Sequence, residues 1–478
     1  MAYIRSQGGR SRAEHRDVRE ARRRACMEHW ANNAIFYHIY PLGLCGAPPR
    51  NDFSLPPADR LQVLHSWLCH IKDLGATAIY LGPVFESSTH GYDTADYGSV
   101  DRRLGTKESL ARFSSAAHAI GLRLVLDGVF NHVGRDFWAF KDVVANLERS
   151  RYTAWFHSLS FGKKSPYGDP FSYEGWSGHY SLVKLNLANP EVKEYLFAAV
   201  ASWIADYGID GLRLDAADVM DIAFLKELSQ HCRRIRSDFW LLGEVVHGDY
   251  RRWANQETLD SVTNYECYKG LYSSHVDRNF FEIAYALNRQ FGPDGLYKGL
   301  PLYAFADNHD VNRVASMVTE PRHLYTLYCL LFTMPGVPSV YYGSEWGIEG
   351  KKDGSDWPLR PSLDLNALSW TGPHQDLLKA IRRFAQIRHR SPALRLGDYV
   401  QLHVGHEQMA FARRHARQTV VVCVNAAKEP AGMLLDLSLA GEGRLVDLLS
   451  GEQEFSVKEG KAVIEAIPAG WARIMELK

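Results

Sequence analysis

Three acids in the 478-residue chain stand where chemistry at a single carbon atom could be done. Asp215 closes the run Gly-Leu-Arg-Leu-Asp at 211–215, Glu244 closes another apolar run 29 residues later, and Asp310 follows His309 after a third. Splitting a glycosidic link with retention of configuration needs two carboxyl groups about 5–5.5 Å apart, one ionised to attack and one protonated to release the leaving oxygen. If each run is a strand, residues two apart share a side, so Arg213 lies beside Asp215 and its charge should lower that carboxyl's pKa. Neighbouring strands run about 4.8 Å apart, so Asp215 and Glu244 can face each other across a sugar. Asp310 and His309 can hydrogen-bond the hydroxyls of the reacting ring and hold it distorted.

The elements that must position these residues repeat along the chain. Short β-branched or aromatic runs occur at 34–42, 76–84, 123–129, 211–215, 239–245, 261–265, 302–308 and 336–343, with helical stretches between them, among them 60–74, 191–207 and 219–237. Near-continuous apolar runs suit strands buried on both faces. Eight of them alternating with helices predict the α/β class and a (β/α)8 TIM barrel. An open doubly wound sheet fits less well, because no GxGxxG follows the first run. Asp127, Asp215, Glu244 and Asp310 also gather at the ends of four different runs, the face on which such barrels build their sites. One strand-end acid could be a helix N-cap; four fit that reading poorly. Asp127 itself reads as structural, tying down the loops around Asn131 and His132.

The barrel is assigned to residues 34–132 and 188–394. The stretch 133–187 is too long and irregular for a plain connection, so it reads as an inserted domain after strand 3. Its aromatics Trp155, Phe156, Tyr173, Trp176 and Tyr180 are candidates to line a cleft or to pack the insert. From 395 to 478 six short alternating strands predict a C-terminal antiparallel β-sandwich. Residues 1–33 form a basic N-terminal extension whose crowded arginines suit a solvated tail.

Composition narrows the function. Lys+Arg and Asp+Glu number 55 each, which argues against a nucleic-acid partner. Aromatic residues make up 12%, suited both to stacking on sugar rings and to a large core. The seven cysteines are scattered, with no CxxC pair, which points to reduced thiols and a cytoplasmic location. No run approaches the ~18 apolar residues of a membrane span, so no membrane partner is expected. Nucleotide chemistry has no phosphate loop or dinucleotide fingerprint to support it, and no GxSxG elbow is present.

Four motifs in order carry a resemblance. Asp-Gly-Val-Phe-Asn-His at 127–132, Gly-Leu-Arg-Leu-Asp at 211–215, Gly-Glu-Val at 243–245 and Phe-Ala-Asp-Asn-His-Asp at 305–310 are similar to the four motifs of the α-amylase family of glycoside hydrolases. The likeness extends over nearly the whole chain from about residue 34. It implies Asp215 as nucleophile, Glu244 as general acid/base and Asp310 as the third carboxylate, with Arg213 orienting Asp215. It also implies that His132 and His309 bind the sugar in the cleavage subsite, that Tyr92 and His90 in Thr-His-Gly-Tyr-Asp (89–93) belong to the same subsite, and that Asp356 and Arg360 bind the same sugar. Within the family, the stretches 182–192 and 212–221 resemble the neopullulanase, cyclomaltodextrinase and maltogenic amylase group, implying an α-glucan oligosaccharide substrate. Asp218-Val219 departs from the Asn-Glu usual there, which bears on the acceptor side of the cleft. The extra N-terminal β-domain common in that group has no counterpart here, so no oligomeric state is carried over.

No cofactor is required by this chemistry. Calcium is possible in the family at the counterpart of Asn131, with the carbonyl of Val219 as a further ligand. The expected activity is hydrolysis of α-1,4 bonds, with α-1,6 bonds as an extension, in maltodextrins or cyclomaltodextrins. A transglycosylase or glucoside isomerase could run on the same residues. A non-catalytic amylase-like binding protein would lack the carboxylates that this chain keeps.

Overall fold

The computed structural model describes residues 29–438, 443–451 and 453–478; most of the basic N-terminal stretch, residues 1–28, lies outside them. Eight parallel strands form one sheet: β1 (Phe36–Ile39), β2 (Ala78–Leu81), β3 (Arg123–Gly128), β4 (Gly211–Leu214), β5 (Trp240–Gly243), β6 (Ser261–Val262), β7 (Tyr303–Phe305) and β8 (Val337–Tyr341). They are hydrogen-bonded in the order β6-β5-β4-β3-β2-β1-β8-β7, and a parallel bridge between Thr263 and Tyr303 joins the two ends into a closed barrel. This is the expected TIM barrel.

Two separate apolar layers hold it. Phe36, Tyr80, Val125, Trp240, Leu242, Tyr303 and Phe305 fill the interior, with Phe36 stacked 5.0 Å from Trp240. The barrel is therefore a packed core rather than a pore. Trp30 and Ala31 join this layer, and Trp30 Nε1 donates to the Asp238 carbonyl, so residues 29–33 close the barrel floor instead of standing outside it. The second layer lies between strands and helices. Helix α1 (Gln62–Leu74) buries Leu64, Trp67, Leu68, Ile71 and Leu74, the 3–4 spacing of one helical face. It stops at Gly75, at φ 98°, where a Cβ would come 2.7 Å from Ala385. That left-handed stop beside a packed neighbour admits only glycine.

Helix α2 (Lys107–Ala119) follows β2, α3 (Pro190–Tyr207) follows β3, and α4 (Ile222–Ile235) follows β4. Asn189 caps α3 through the Glu191 amide at 2.9 Å, with Pro190 as first helical residue. Helices α5 (Tyr265–Val276) and α6 (Phe281–Phe291) follow β6, α7 (His323–Thr333) follows β7, and α8 (Gln375–Arg390) follows β8. The alternation fails once: only the 3₁₀ turn Tyr250–Arg252 lies between β5 and β6. The segment 246–260 buries Tyr250, Trp253, Ala254 and Leu259 against the barrel through that turn and irregular chain rather than through a helix.

After β3 the chain leaves the barrel. His132–Gly134, His179–Lys184 and Gly175–Trp176 make a small antiparallel sheet, and Phe137, Phe140, Phe156, Phe171 and Tyr173 pack beneath it. The C-terminal unit contains eight strands rather than six: β9 (Asp398–Val404), β10 (Gln408–His415), β11 (Gln418–Asn425), β12 (Ala431–Asp436), β13 (Gly443–Asp447), β14 (Glu454–Lys458), β15 (Lys461–Ile467) and β16 (Trp471–Leu477). Their order is β9-β10-β11-β16-β13-β14-β15-β12, and the sheet folds over a core of its own that includes Val421, Leu435, Ile464 and Met475. Buried Arg413 on β10 donates to the Thr333 carbonyl at the end of α7 and so fastens this unit to the barrel, while buried Arg388 on α8 ties together the carbonyls of Phe332, Gly336 and Leu394.

Candidate active site

Register places the acids. Asp127 on β3 is level with Arg213 on β4, and Arg213 is level with Leu242 on β5. Asp215 and Glu244 therefore emerge together just past the ends of β4 and β5. The Asp215 amide bonds to the Gly128 carbonyl and the Glu244 amide to the Leu214 carbonyl, so the ladder carries on into the site.

Arg213 is the hub. It is 3% exposed, and its Nη1 donates to Asp127 at 3.0 Å and to Asp215 Oδ1 at 2.9 Å, while its Nη2 lies 2.8 Å from Glu244 Oε2. The carboxyl groups of Asp215 and Glu244 are thus held by the two arms of one guanidinium, in one hollow. Asp127 does not tie the Asn131–His132 loop as the sequence suggested. It accepts from Tyr80 and Tyr92 hydroxyls at 2.7 and 3.0 Å and fixes Arg213.

The electrostatics correct a second expectation. Burial pushes the Asp215 carboxyl well above the ordinary range; Arg213 opposes this, but Glu244, Asp127 and Asp310 add to it. One positive charge shared by three carboxylates does not offset that burial, so Asp215 binds its proton more tightly than an exposed aspartate. Asp310 behaves oppositely. Burial alone would raise it, yet His309, then Arg360 and Arg213, hold it well below the usual carboxylate range. His309 Nε2 lies 2.8 Å from Asp310 Oδ2, and Arg360 Nη2 donates to Asp310 Oδ1 at 2.8 Å and to Asp356 at 3.2 Å. Tyr92 stacks flat on His309 with centroids 5.4 Å apart, and its hydroxyl meets both His309 and Asp127.

His132 sits on the other wall. Burial lowers its pKa to about 3, so the ring is neutral near pH 7. Asn131 Nδ2 lies 3.2 Å from His132 Nδ1, which leaves the ring proton on Nε2, 3.8 Å from Asp215 and without a protein partner. An N–H so placed is available to a ligand oxygen. Trp176 packs beside His132 at 5.5 Å.

These groups line a single hollow of about 720 Å³. His90, Tyr92, His132, Asp215, Glu244, Asp310, Asp356 and Arg360 all reach it; Arg213 and His309 stand just behind. Of the aromatics singled out in the inserted segment, only Trp176 lines it, whereas Trp155, Phe156 and Tyr173 are buried in the insert's own core. The sequence reading missed His179, Trp357 and above all Tyr265, whose hydroxyl donates to Glu244 Oε1 at 3.2 Å. Ala216, directly after Asp215, adopts φ 48°, ψ 40°, and its amide donates to Glu244 Oε2 at 3.1 Å. Such strain in a non-glycine residue is held in place by its surroundings and clusters at functional sites.

Calcium takes six to eight oxygen ligands, with backbone and amide carbonyls among them. Among the described residues no group of three His, Cys, Asp or Glu could hold a metal. The Asn131 carbonyl already accepts from Leu185.

A closed (β/α)8 barrel with several carboxylates, two histidines and a guanidinium at the strand ends belongs to the enzymes built on that face. The model of the alpha amylase catalytic domain matches residues 59–395. A cyclomaltodextrinase of Geobacillus thermopakistaniensis is 30% identical over 466 residues, 92% of this chain and 76% of that one. The debranching enzyme of Nostoc punctiforme superposes with a TM-score of 0.80 at 29% identity, covering 93% of this chain and 98% of the other. A cyclic α-maltosyl-(1→6)-maltose hydrolase of Arthrobacter globiformis gives 0.77 at 29%, over 94% and 99%. The chain belongs to the alpha-amylase family and is a glycoside hydrolase.

Proposed function

We propose that this protein is a retaining hydrolase of α-1,4 glucosidic bonds, and of α-1,6 bonds where the cleft admits them, in maltodextrins or cyclomaltodextrins. The carrying observation is that Asp215 and Glu244 share the two arms of Arg213 at the mouth of the barrel. Retention needs the two carboxyl groups close together, whereas inversion needs room for a water between them. One oxygen of Asp215 attacks the anomeric carbon while Glu244 gives its proton to the leaving oxygen. The C–O bond to the leaving sugar breaks and a glycosyl ester forms on Asp215. Glu244, now ionised, takes a proton from a water that attacks the same carbon, which frees Asp215 and restores the acid.

Asp310, kept ionised by His309 and Arg360, grips the hydroxyls of the reacting sugar and favours the oxocarbenium-like transition state. Neutral His132 donates its Nε2–H to the same sugar, and Tyr92 offers a ring fixed between His309 and Asp127. His90, Asp356 and Arg360 complete the subsite. No step runs through a metal. A cytoplasmic location is supported by the six cysteines among the described residues, all unpaired as in reducing compartments. No helix among those residues is long and apolar enough to cross a membrane.

The test is a product profile on cyclomaltodextrin, pullulan and maltotriose, with the anomer first formed read by NMR. The α-anomer is expected; the β-anomer would rule out attack by Asp215. Failure to cut any of the three would remove the α-glucan assignment.

A further inference from the structure

Beside the cleft lies a second hollow, of about 940 Å³, between the β5–β6 connection and helices α5 and α6. It exists because no helix covers this side of the barrel: the turn Tyr250–Arg252 spans the interval instead. The two hollows share Val246 and Tyr265 as wall, and Tyr265 is the residue bonded to Glu244. If Glu244 protonates the departing sugar, the second hollow lies on the leaving-group side. That orientation rests on the function proposed above.

Its lining is unusual for a surface. Six of its seventeen residues are tyrosines. Tyr250 and Tyr297 stack at 5.0 Å, Tyr272 leans on Tyr268 at 5.0 Å, and Tyr285 is 69% exposed with its hydroxyl unbonded among the described residues. Tyr250 and Tyr297 are buried against each other, so the rings that offer an open face to the apolar C–H side of a pyranose are exposed Tyr285 and half-buried Tyr268 and Tyr272. Around them the pairs Arg289–Glu266, at 2.6 Å, and Lys269–Glu282 fix charged groups where sugar hydroxyls could bond. Charge separates this from an anion site: Asp249, Glu266 and Glu282 balance Arg251, Lys269 and Arg289 in the lining. A phosphate or nucleic acid would meet no net positive field.

We infer that this hollow is an extended binding site for the leaving-group end of an α-glucan too long for the cleft alone. It makes the enzyme selective for chain length without touching the bond that is cut. The experiment compares the double variant Tyr272→Ala/Tyr285→Ala with the unaltered protein on maltoheptaose and on 4-nitrophenyl α-maltoside. The kcat/KM on maltoheptaose should fall about tenfold, mainly through KM, with that on the short glycoside unchanged. Equal losses on both, no loss on either, or a changed elution volume marking a subunit contact would each overturn the inference. Should the double variant fold poorly, Tyr285→Ser alone serves, since that ring is mostly in solvent. If the unaltered protein cuts neither substrate, the α-glucan hydrolase reading fails on its own. Calorimetric titration with maltoheptaose then decides: binding lost in the variant supports the hollow as a glucan site, and absent or equal binding overturns it.

Discussion

The two sides of the cleft solve opposite electrostatic problems with the same residue type. On one side Arg213 serves Asp127, Asp215 and Glu244 together. On the other, Asp310 draws on His309 and on Arg360, which it shares only with Asp356 among the described residues. Exposure works in the same direction, since the Asp310 side chain is 33% open and that of Asp215 only 11%. One carboxyl is therefore held ionised, while the other has its affinity for a proton raised. The ratio of positive partners to carboxylates, together with burial, divides the labour, and the mere presence of an arginine two residues away does not.

The largest effect tests that division directly. Asp215→Asn and Glu244→Gln should each lower kcat on maltodextrin by several orders of magnitude with the melting temperature little changed. An α-glucosyl fluoride, whose leaving group needs no proton, should restore much of the rate to the Glu244 variant and none to the Asp215 variant. Rescue of the latter would exchange the two roles.

A smaller effect concerns the partner of Glu244 that lies outside the motifs. Tyr265→Phe removes one hydrogen bond to a carboxyl group, about 1.5–3 kcal/mol where the acceptor is charged. If half or more of that is realised only in the transition state, kcat falls roughly tenfold, as 1.36 kcal/mol is a factor of ten. A rate within twofold of the unaltered enzyme would show that Ala216 and Arg213 position Glu244 without help.

These residues also mark what the sequence could tell. The four acids were legible because each lies at or soon after the carboxyl end of a strand, and strand periodicity with motif order is local information. The eight barrel strands were legible for the same reason, though every run but β3 and β4 was read several residues too long. That Arg213 touches Asp215 was legible from their spacing, but that it also holds Asp127 and Glu244 was not, because those come from neighbouring strands and the sharing depends on register across the sheet. Tyr265 was read as the end of the sixth strand, whereas the chain turns after Val262 and Tyr265 begins α5, which is what aims its hydroxyl at Glu244. Trp176 could not be told from Trp155, because which aromatic of the insert faces the cleft is decided by pairing in its small sheet. Strands β12 and β15 were missed: the first opens on Ala-Gly, and the second leaves Lys461 and Glu465 exposed on a solvent face.

The finest test sharpens the comparison itself. Asp215 must be ionised to attack, and its affinity for a proton is raised, so the acid limb of kcat/KM should lie above the ordinary aspartate value of about 3.9. The limb reports the coupled group rather than one residue. Asp310 is among the charges that hold the proton on Asp215. Replacing it in Asp310→Asn removes a negative charge, makes ionisation of Asp215 easier and moves the limb to lower pH, by on the order of 0.5–1 unit for a partly screened neighbour. The residual rate of that variant, measured on an activated glycoside from pH 3 to pH 8, carries the answer. A limb that moved upward would mean that losing Asp310 releases Arg360 and His309 from the site, so that the two sides of the cleft are less independent than their hydrogen bonds imply.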